Sequence, residues 1–465
     1  MAGQDKTGGT SGSGIRELMN GAAQLAITYL EGLDTRRVAP DAAAVEALAV
    51  LDEPLPDVST PPAAVIELLD RVCSPATMAM AGPRFFGFVI GGALPATLAA
   101  NWLAAAWDQN SALAAVTPAT ARLEAVALRW LLELFGLPPT AAGAFVTGGT
   151  MANFTALAAA RHAVLARAGW NVEADGLVGA PPIQVIVGAE AHPTLFKSLG
   201  LLGLGRSRVT RVPVDGQGRL RPDELPLITG PAIVCTQAGN LNTGAFDPVG
   251  AICERLAGTG AWVHVDGAFG LWAAAVPYLQ HLVPGLAAAD SWATDAHKWL
   301  NVPYDSGLAF VRDAAALQAA MAITAEYLPT DSPERNPADF TPELSRRARG
   351  VEVWAALRSL GRSGVAAMIG GCVRHARRFA DGLRSAGFEV LNDVVLNQVL
   401  VSFGDADTTN RVIAALQAEG TCWCGTTIWQ GRTAMRISVV SWATTAADVE
   451  KSLAAIVRVA RAIPR

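Results

Sequence analysis

Between residues 143 and 313, short apolar runs alternate with longer helical stretches, and this alternation restricts the fold more than any other feature of the chain. The runs are "GAFVTGG", "IQVIVGAEAH", "AIVCTQAG", "AWVHVDGAFG" and "GLAFVRD". β-Branched segments spaced by helices build a parallel sheet wrapped on its faces, the α/β class. Four of the runs end in small or polar residues. Open α/β sheets bind ligands at the carboxyl ends of their strands, so Thr147 to Thr150, His192, Thr236 to Gly239 and Asp266 are expected to converge on one crevice.

The flanks read differently. Residues 1–100 begin with the polar, glycine-rich "MAGQDKTGGTSGSG", expected to be a disordered tail, and continue as an arm or lobe with proline-rich joints such as "EPLPDVSTPPAAV". Residues 101–350 form the large domain, whose last part, "TAEYLPTDSPERNPADFTPELSRRARG", reads as an exposed loop. Residues 351–465 open with a long helix and then give "FEVLND", "QVLVSF" and "AMRISVV" as strands, with helices over 407–419 and 445–462: a smaller α+β domain.

Composition narrows the function. The 465 residues are 51% hydrophobic and 17% charged, with a formal charge of -5. No basic stripe is present, which argues against a nucleic-acid partner. The apolar stretch "GGALPATLAANWLAAAW" is short for a membrane span and contains Pro95 and Asn101, so it reads as a buried helix. A soluble, cytoplasmic protein is expected. Among the six cysteines only Cys422 and Cys424 are close; without a second thiol pair or a nearby histidine they read as reduced structural thiols rather than a zinc site, and no metal is expected.

Three segments carry chemistry. In "VTGGTMANFTALAAARH" a glycine turn joins a strand to a helix, and the exposed backbone N–H groups with the Thr150 hydroxyl suit an anion such as phosphate. Neither the dinucleotide nor the P-loop glycine pattern is present. In "HVDGAFG", Asp266 ends an apolar strand, where a carboxylate needs a cationic or hydrogen-bonding partner; the small Ala268 leaves room for a flat ring. In "SWATDAHKWLNVPYDSG", Lys298 lies among apolar residues, where a lysine loses its proton more readily and can attack a carbonyl. A phosphate cradle, an aspartate for a pyridinium nitrogen and a Schiff-base lysine are together what pyridoxal 5′-phosphate requires.

With "TGGTMAN", "AEAHPTLFKSLG", "HVDGAFG" and "DAHKWL" in one order, the chain resembles the group II pyridoxal-phosphate-dependent amino-acid decarboxylases. These are fold type I, aminotransferase-like enzymes that include aromatic amino-acid, glutamate and histidine decarboxylases. The resemblance implies a large, mostly parallel sheet domain, a smaller C-terminal α+β domain and a homodimer with shared active sites. It implies that Lys298 holds the cofactor as a Schiff base, Asp266 pairs with the ring nitrogen, His192 stacks on the ring and Ala268 supports its other face. Gly148, Gly149 and Thr150 would bind phosphate, with Asn240, Asp295 and His297 also at the cofactor. Arg436 would meet the substrate carboxylate, with Phe85 and Gly91 as further substrate contacts. Tyr327 matches the mobile-loop tyrosine that protonates the substrate carbon in decarboxylases.

The chain also departs from the family pattern. The usual glycine-threonine-threonine is Gly239-Asn240-Leu241, which removes a hydroxyl and leaves Asn240 as its substitute. The expected reaction is decarboxylation of an L-amino acid to an amine. The alternatives are transamination, carbon–carbon lysis or oxidative deamination on the same scaffold, or a non-catalytic protein that retains the fold. Trp423 and Trp429 leave room for a bulky substrate side chain.

Overall fold

The computed structural model describes residues 12–323 and 334–464. Seven strands form the large sheet: β1 (Ala142–Val146), β2 (Gln184–Gly188), β3 (Val209–Val212), β4 (Ala232–Gln237), β5 (Trp262–Asp266), β6 (Ser291–Asp295) and β7 (Gly307–Val311). Their order is β1-β7-β6-β5-β4-β2-β3. All neighbours run parallel except β7, which is antiparallel to both β1 and β6. The connection from β6 to β7 is too short for a crossover helix, so the chain turns back beside the strand it has just left. Gly307 therefore pairs with Val146 on one side and Asp295 on the other. The ends of β1, β4, β5 and β6 and the start of β7 thus lie along one edge, and that edge carries the site.

The core explains the tight register. Trp262, Trp272, Trp292 and Trp299 are fully buried, and the helix Gly149–Arg167 buries an alanine-rich face on the sheet. Small side chains there let helix and sheet approach closely, so close-packed van der Waals contact rather than bulk fixes the spacing. The helix Gly350–Ser385 leads out of the large sheet and is broken at Gly361, whose φ of 59° lies in the left-handed region. It carries the chain to a four-stranded antiparallel sheet of β8 (Glu389–Val390), β9 (Gln398–Ser402), β10 (Gly425–Trp429) and β11 (Arg432–Ser438), in the order β10-β11-β9-β8. Helices Ala406–Glu419 and Ala446–Ala462 accompany it, the second opened by a reciprocal cap between Thr445 and Asp448.

Three expectations change. A helix, Gly12–Glu31, begins inside the stretch expected to be a disordered tail. The helix Pro95–Trp107, expected to be buried, buries only Thr97 and Ala104 and exposes Trp102, Leu103 and Trp107. In the segment expected to be an exposed loop, Arg346 and Arg349 are buried. Carboxylates are the reason: buried Glu124 accepts from Arg346 at 2.8 Å and Arg335 at 3.2 Å, and Asp305 accepts from Arg349 at 2.7 Å, because a desolvated charge needs such partners. The six cysteines are free thiols. Among the described residues no cluster suits a metal ion, and no helix is long and apolar enough to cross a membrane.

Candidate active site

The strand edge opens into a cavity of about 520 Å³ whose wall includes Gly149, Thr150, His192, Asp266, Ala268, Asp295, His297, Lys298 and Arg436. Lys298 stands on the short helix Ala296–Trp299, directly after β6. Its Nζ lies 2.9 Å from Asp295 Oδ2, and Asp295 is almost wholly buried. The other oxygen, Asp295 Oδ1, is buried without a hydrogen-bond partner and is 3.7 Å from His297 Nε2. His297 Nδ1 accepts from the Ser306 backbone N–H at 3.1 Å, which leaves the proton on Nε2, and the ring stacks on Tyr304 at 4.2 Å. Burial holds the His297 pKa below its ordinary value.

The glycine turn sits over this group. A Cβ on Gly149 would fall 2.9 Å from Asp295 Oδ2, and one on Gly148 would fall 3.2 Å from the His297 ring. Only glycine lets the helix Gly149–Arg167 start so close. That helix has no side-chain cap at its N-terminus, so its first N–H groups are open to an anion.

Asp266 ends β5. Its Oδ1 accepts the Ala268 N–H at 3.3 Å and its Oδ2 accepts Asn153 Nδ2 at 3.2 Å. His192 caps the helix Pro193–Leu201; its Nδ1 is 2.6 Å from the Thr194 hydroxyl and accepts the Thr194 N–H at 3.3 Å. That places the ring proton on Nε2. Burial, the largest cause, lowers the His192 pKa, so the ring is neutral at pH 7.

Arg436, on β11, is a buried guanidinium whose Nη1 donates to the Leu241 carbonyl at 3.3 Å and whose Nε has no partner. Burial alone lowers its pKa to about 10. Among the described residues no carboxylate pairs with it, an arrangement that leaves a desolvated guanidinium suited to an anion.

Other expected residues lie elsewhere. Phe85 is buried behind the wall, stacked on Trp423 at 5.2 Å; the residues of its segment that line the cavity are Phe88 and Val89. Gly91 is packed against the Lys298 backbone, where a Cβ would meet the carbonyl oxygen at 2.0 Å. Asn240 has its side chain occupied: Nδ2 donates to Glu190 at 3.1 Å, and Oδ1 accepts the Asn242 and Thr243 N–H groups. Trp429 and Gln430 of the β10–β11 hairpin also donate to Glu190, at 3.2 and 3.0 Å, so this carboxylate ties the hairpin to the segment that follows β2. Tyr327 lies outside the described residues. Asn153, Glu190, Thr426 and Thr427 were missed, although "TGGTMAN" displays Asn153 one helical turn after the glycines.

The cavity suits a flat anionic cofactor: its wall combines an open helix N-terminus, the buried acceptor Asp266, small Ala268, the neutral His192 ring and the Lys298 amine. This arrangement defines a pyridoxal-phosphate enzyme. The chain belongs to the pyridoxal-dependent decarboxylase family, whose conserved-domain model matches residues 46–404. It is 27% identical to tryptophan decarboxylase 1 of Oryza sativa subsp. japonica over 92% of this chain and 90% of that protein. It is 29% identical to the L-2,4-diaminobutyrate decarboxylase of Rhizobium meliloti (strain 1021) over 88% and 84%. A crystal structure of Oryza sativa TDC with PLP and tryptamine superimposes with a TM-score of 0.90 at 24% identity, covering 97% of this chain and 98% of that one. The protein is thus an amino-acid decarboxylase of fold type I, and its cofactor is pyridoxal 5′-phosphate.

Proposed function

We propose that this chain decarboxylates an L-amino acid with an uncharged apolar or aromatic side chain, using Lys298 to hold the cofactor aldehyde. The observation that carries this reading is the convergence of Lys298, Asp266 and the unpaired Arg436 on one cavity. Bound there, pyridoxal 5′-phosphate supplies an electron sink for the pair left when the substrate carboxylate departs as carbon dioxide.

The protein's own residues do the rest. Gly148, Gly149 and Thr150 present N–H and hydroxyl donors to the phosphate. Asp295 would hold the Lys298 ammonium in place until the cofactor aldehyde takes the amine. Asp266 accepts the ring N–H, and the neutral His192 offers a face of its ring. Arg436 holds the substrate carboxylate, the pairing that best offsets its own desolvation. Tyr327 is assigned to return a proton to the α-carbon.

The side-chain class rests on the walls. Phe88, Val89 and Leu241 are apolar, Thr426 and Thr427 are neutral, and every charged wall residue already has a role above. A second ammonium or carboxylate on the substrate would go unpaired. The relative named for tryptophan agrees with this class, and the one named for L-2,4-diaminobutyrate does not. We further propose a cytoplasmic homodimer; for the dimer, the exposed Trp102, Leu103 and Trp107 on one helix offer apolar surface that a second copy can cover.

The test is a visible spectrum of the purified, cofactor-loaded protein during addition of a panel of amino acids, with carbon dioxide recorded. Gas released with an aromatic amino acid, lost in Lys298→Ala, supports the reading. Gas released only with charged amino acids would overturn the substrate class, and full turnover by Lys298→Ala would overturn the role of the lysine.

A further inference from the structure

Behind Asp266 lies a buried row of polar side chains that the proposed chemistry leaves unused. Trp262 Nε1 donates to Ser291 Oγ at 2.8 Å. Ser291 Oγ is 2.9 Å from His264 Nδ1, and His264 Nε2 is 2.8 Å from Asn153 Oδ1. Asn153 Nδ2 closes the row on Asp266 Oδ2 at 3.2 Å. Trp262, Ser291, His264 and Asn153 are all buried.

The direction of every hydrogen bond is forced from both ends. A carboxylate only accepts, so the amide of Asn153 must present its N–H to Asp266 and its oxygen to His264. Nε2 of His264 therefore carries the proton. Burial holds this imidazole down at about 3, so it is neutral, and its bare Nδ1 must accept from the Ser291 hydroxyl. An indole only donates, so the Ser291 oxygen receives Trp262 Nε1–H. All four bonds run one way, from Trp262 to Asp266, and successive bonds of one sense polarise each other.

We propose that Asn153, His264 and Ser291 are positioning residues that hold Asp266 as an oriented carboxylate and so keep the proton on the cofactor ring nitrogen. This rests on the assignment of Asp266 to that nitrogen. Each donor in the row stabilises negative charge on Asp266 and none can take a proton from it. The proton shared between ring and carboxylate is thereby biased toward the ring, the state that draws electrons most strongly. The row also makes demands on the sheet: Trp262 and His264 point to the same face of β5, two residues apart, and Ser291 pairs with His264 in the register of β5 and β6.

The experiment uses full-length protein reconstituted with pyridoxal 5′-phosphate carrying nitrogen-15 in the ring, comparing wild type with Asn153→Leu, Ser291→Ala and His264→Gln. The nitrogen-15 shift reports whether the ring carries a proton, and titration of the apoprotein gives cofactor affinity. We expect a protonated ring in wild type, a shift toward the unprotonated value in Asn153→Leu, and about tenfold weaker cofactor binding. Ser291→Ala, which removes only one hydroxyl, should give a smaller change of the same sign, and His264→Gln, which keeps an N–H for Asn153, should stay closer to wild type than either. Ring shift and affinity unchanged in Ser291→Ala and in whichever other variants fold would overturn the positioning role, even if their melting temperatures fall. An unprotonated ring in wild type would overturn the assignment of Asp266 itself.

Discussion

Lys298 Nζ rests 2.9 Å from Asp295 Oδ2, three residues earlier in the chain, and the second oxygen of that carboxylate has no hydrogen-bond partner. The lysine is thus parked against a buried anion whose remaining valence faces the glycine turn. Asp295→Asn should leave the ammonium without its counter-charge, lowering the stability of the cofactor-free protein by about 2 kcal/mol. Urea unfolding of the apoprotein checks this; an unchanged midpoint would mean that the pair contributes nothing.

Arg436 is expected to trade stability for binding. Its guanidinium is desolvated with one carbonyl as partner. Arg436→Met should raise the melting temperature of the substrate-free protein, since it removes an unpaired buried charge. The same change should raise KM by about 30-fold, the equivalent of about 2 kcal/mol of carboxylate binding. The cofactor absorption band should be unaffected.

Gly91→Ala should disturb the lysine from behind. The added Cβ would fall 2.0 Å from the Lys298 carbonyl oxygen and 2.9 Å from that of His297, both backbone atoms that cannot swing away. A loss of about 1–3 kcal/mol is expected from the overpacking, together with a weaker cofactor band. A thermal melt and a cofactor titration report the two effects separately.

His264 makes a signed contribution to acid stability. Its pKa is about 3 in the folded chain against an ordinary value of 6.5. Between those values the unfolded chain binds a proton that the folded chain refuses, so stability is full above the upper value and declines as pH falls. Asp247, pushed up to about 7 by burial, acts with the opposite sign, so the comparison must be between wild type and His264→Gln. The variant should lose less stability on acidification, by about 1.4 kcal/mol per pH unit below about pH 6. Urea titrations at about pH 7 and about pH 5.5 measure the difference.

Tyr327→Phe should change the product. Without a phenolic proton at the α-carbon, molecular oxygen can take the electron pair and leave as hydrogen peroxide, so that aldehyde with ammonia should replace part of the amine. Product analysis with an oxygen electrode reads this directly. Unaltered amine yield would remove Tyr327 from the reaction.

The parts that were legible in the sequence share a physical reason. β1, β2, β4, β5 and β7 are continuous apolar runs because both faces are covered. β6, "SWATD", was missed because it buries Ser291, Thr294 and Asp295, polar residues satisfied by partners that composition does not reveal. β3 and β10 each have one face in solvent and keep few apolar residues. Asp266 and His192 were legible because each follows an apolar run whose end must lie at the sheet edge, and Lys298 because it stands among apolar residues in the sequence. Asn240 was assigned to the cofactor by position in a motif, whereas its amide is held by Glu190. That contact joins segments far apart in sequence, as do the links from Asn153 to His264 and from Arg346 to Glu124.

Asn301 shows what such long links imply for the life of the chain. This residue follows the lysine segment closely, and its side-chain oxygen accepts the N–H of Gly92 at 2.8 Å and of Trp442 at 3.1 Å. The pocket floor is therefore tied to the early part of the chain and to a residue near its end. A ribosome that has made Lys298 has not yet made Trp442, so Lys298 is synthesised before the tie that seats its segment exists. A chain truncated before Trp442 should therefore seat the lysine segment poorly and bind the cofactor weakly.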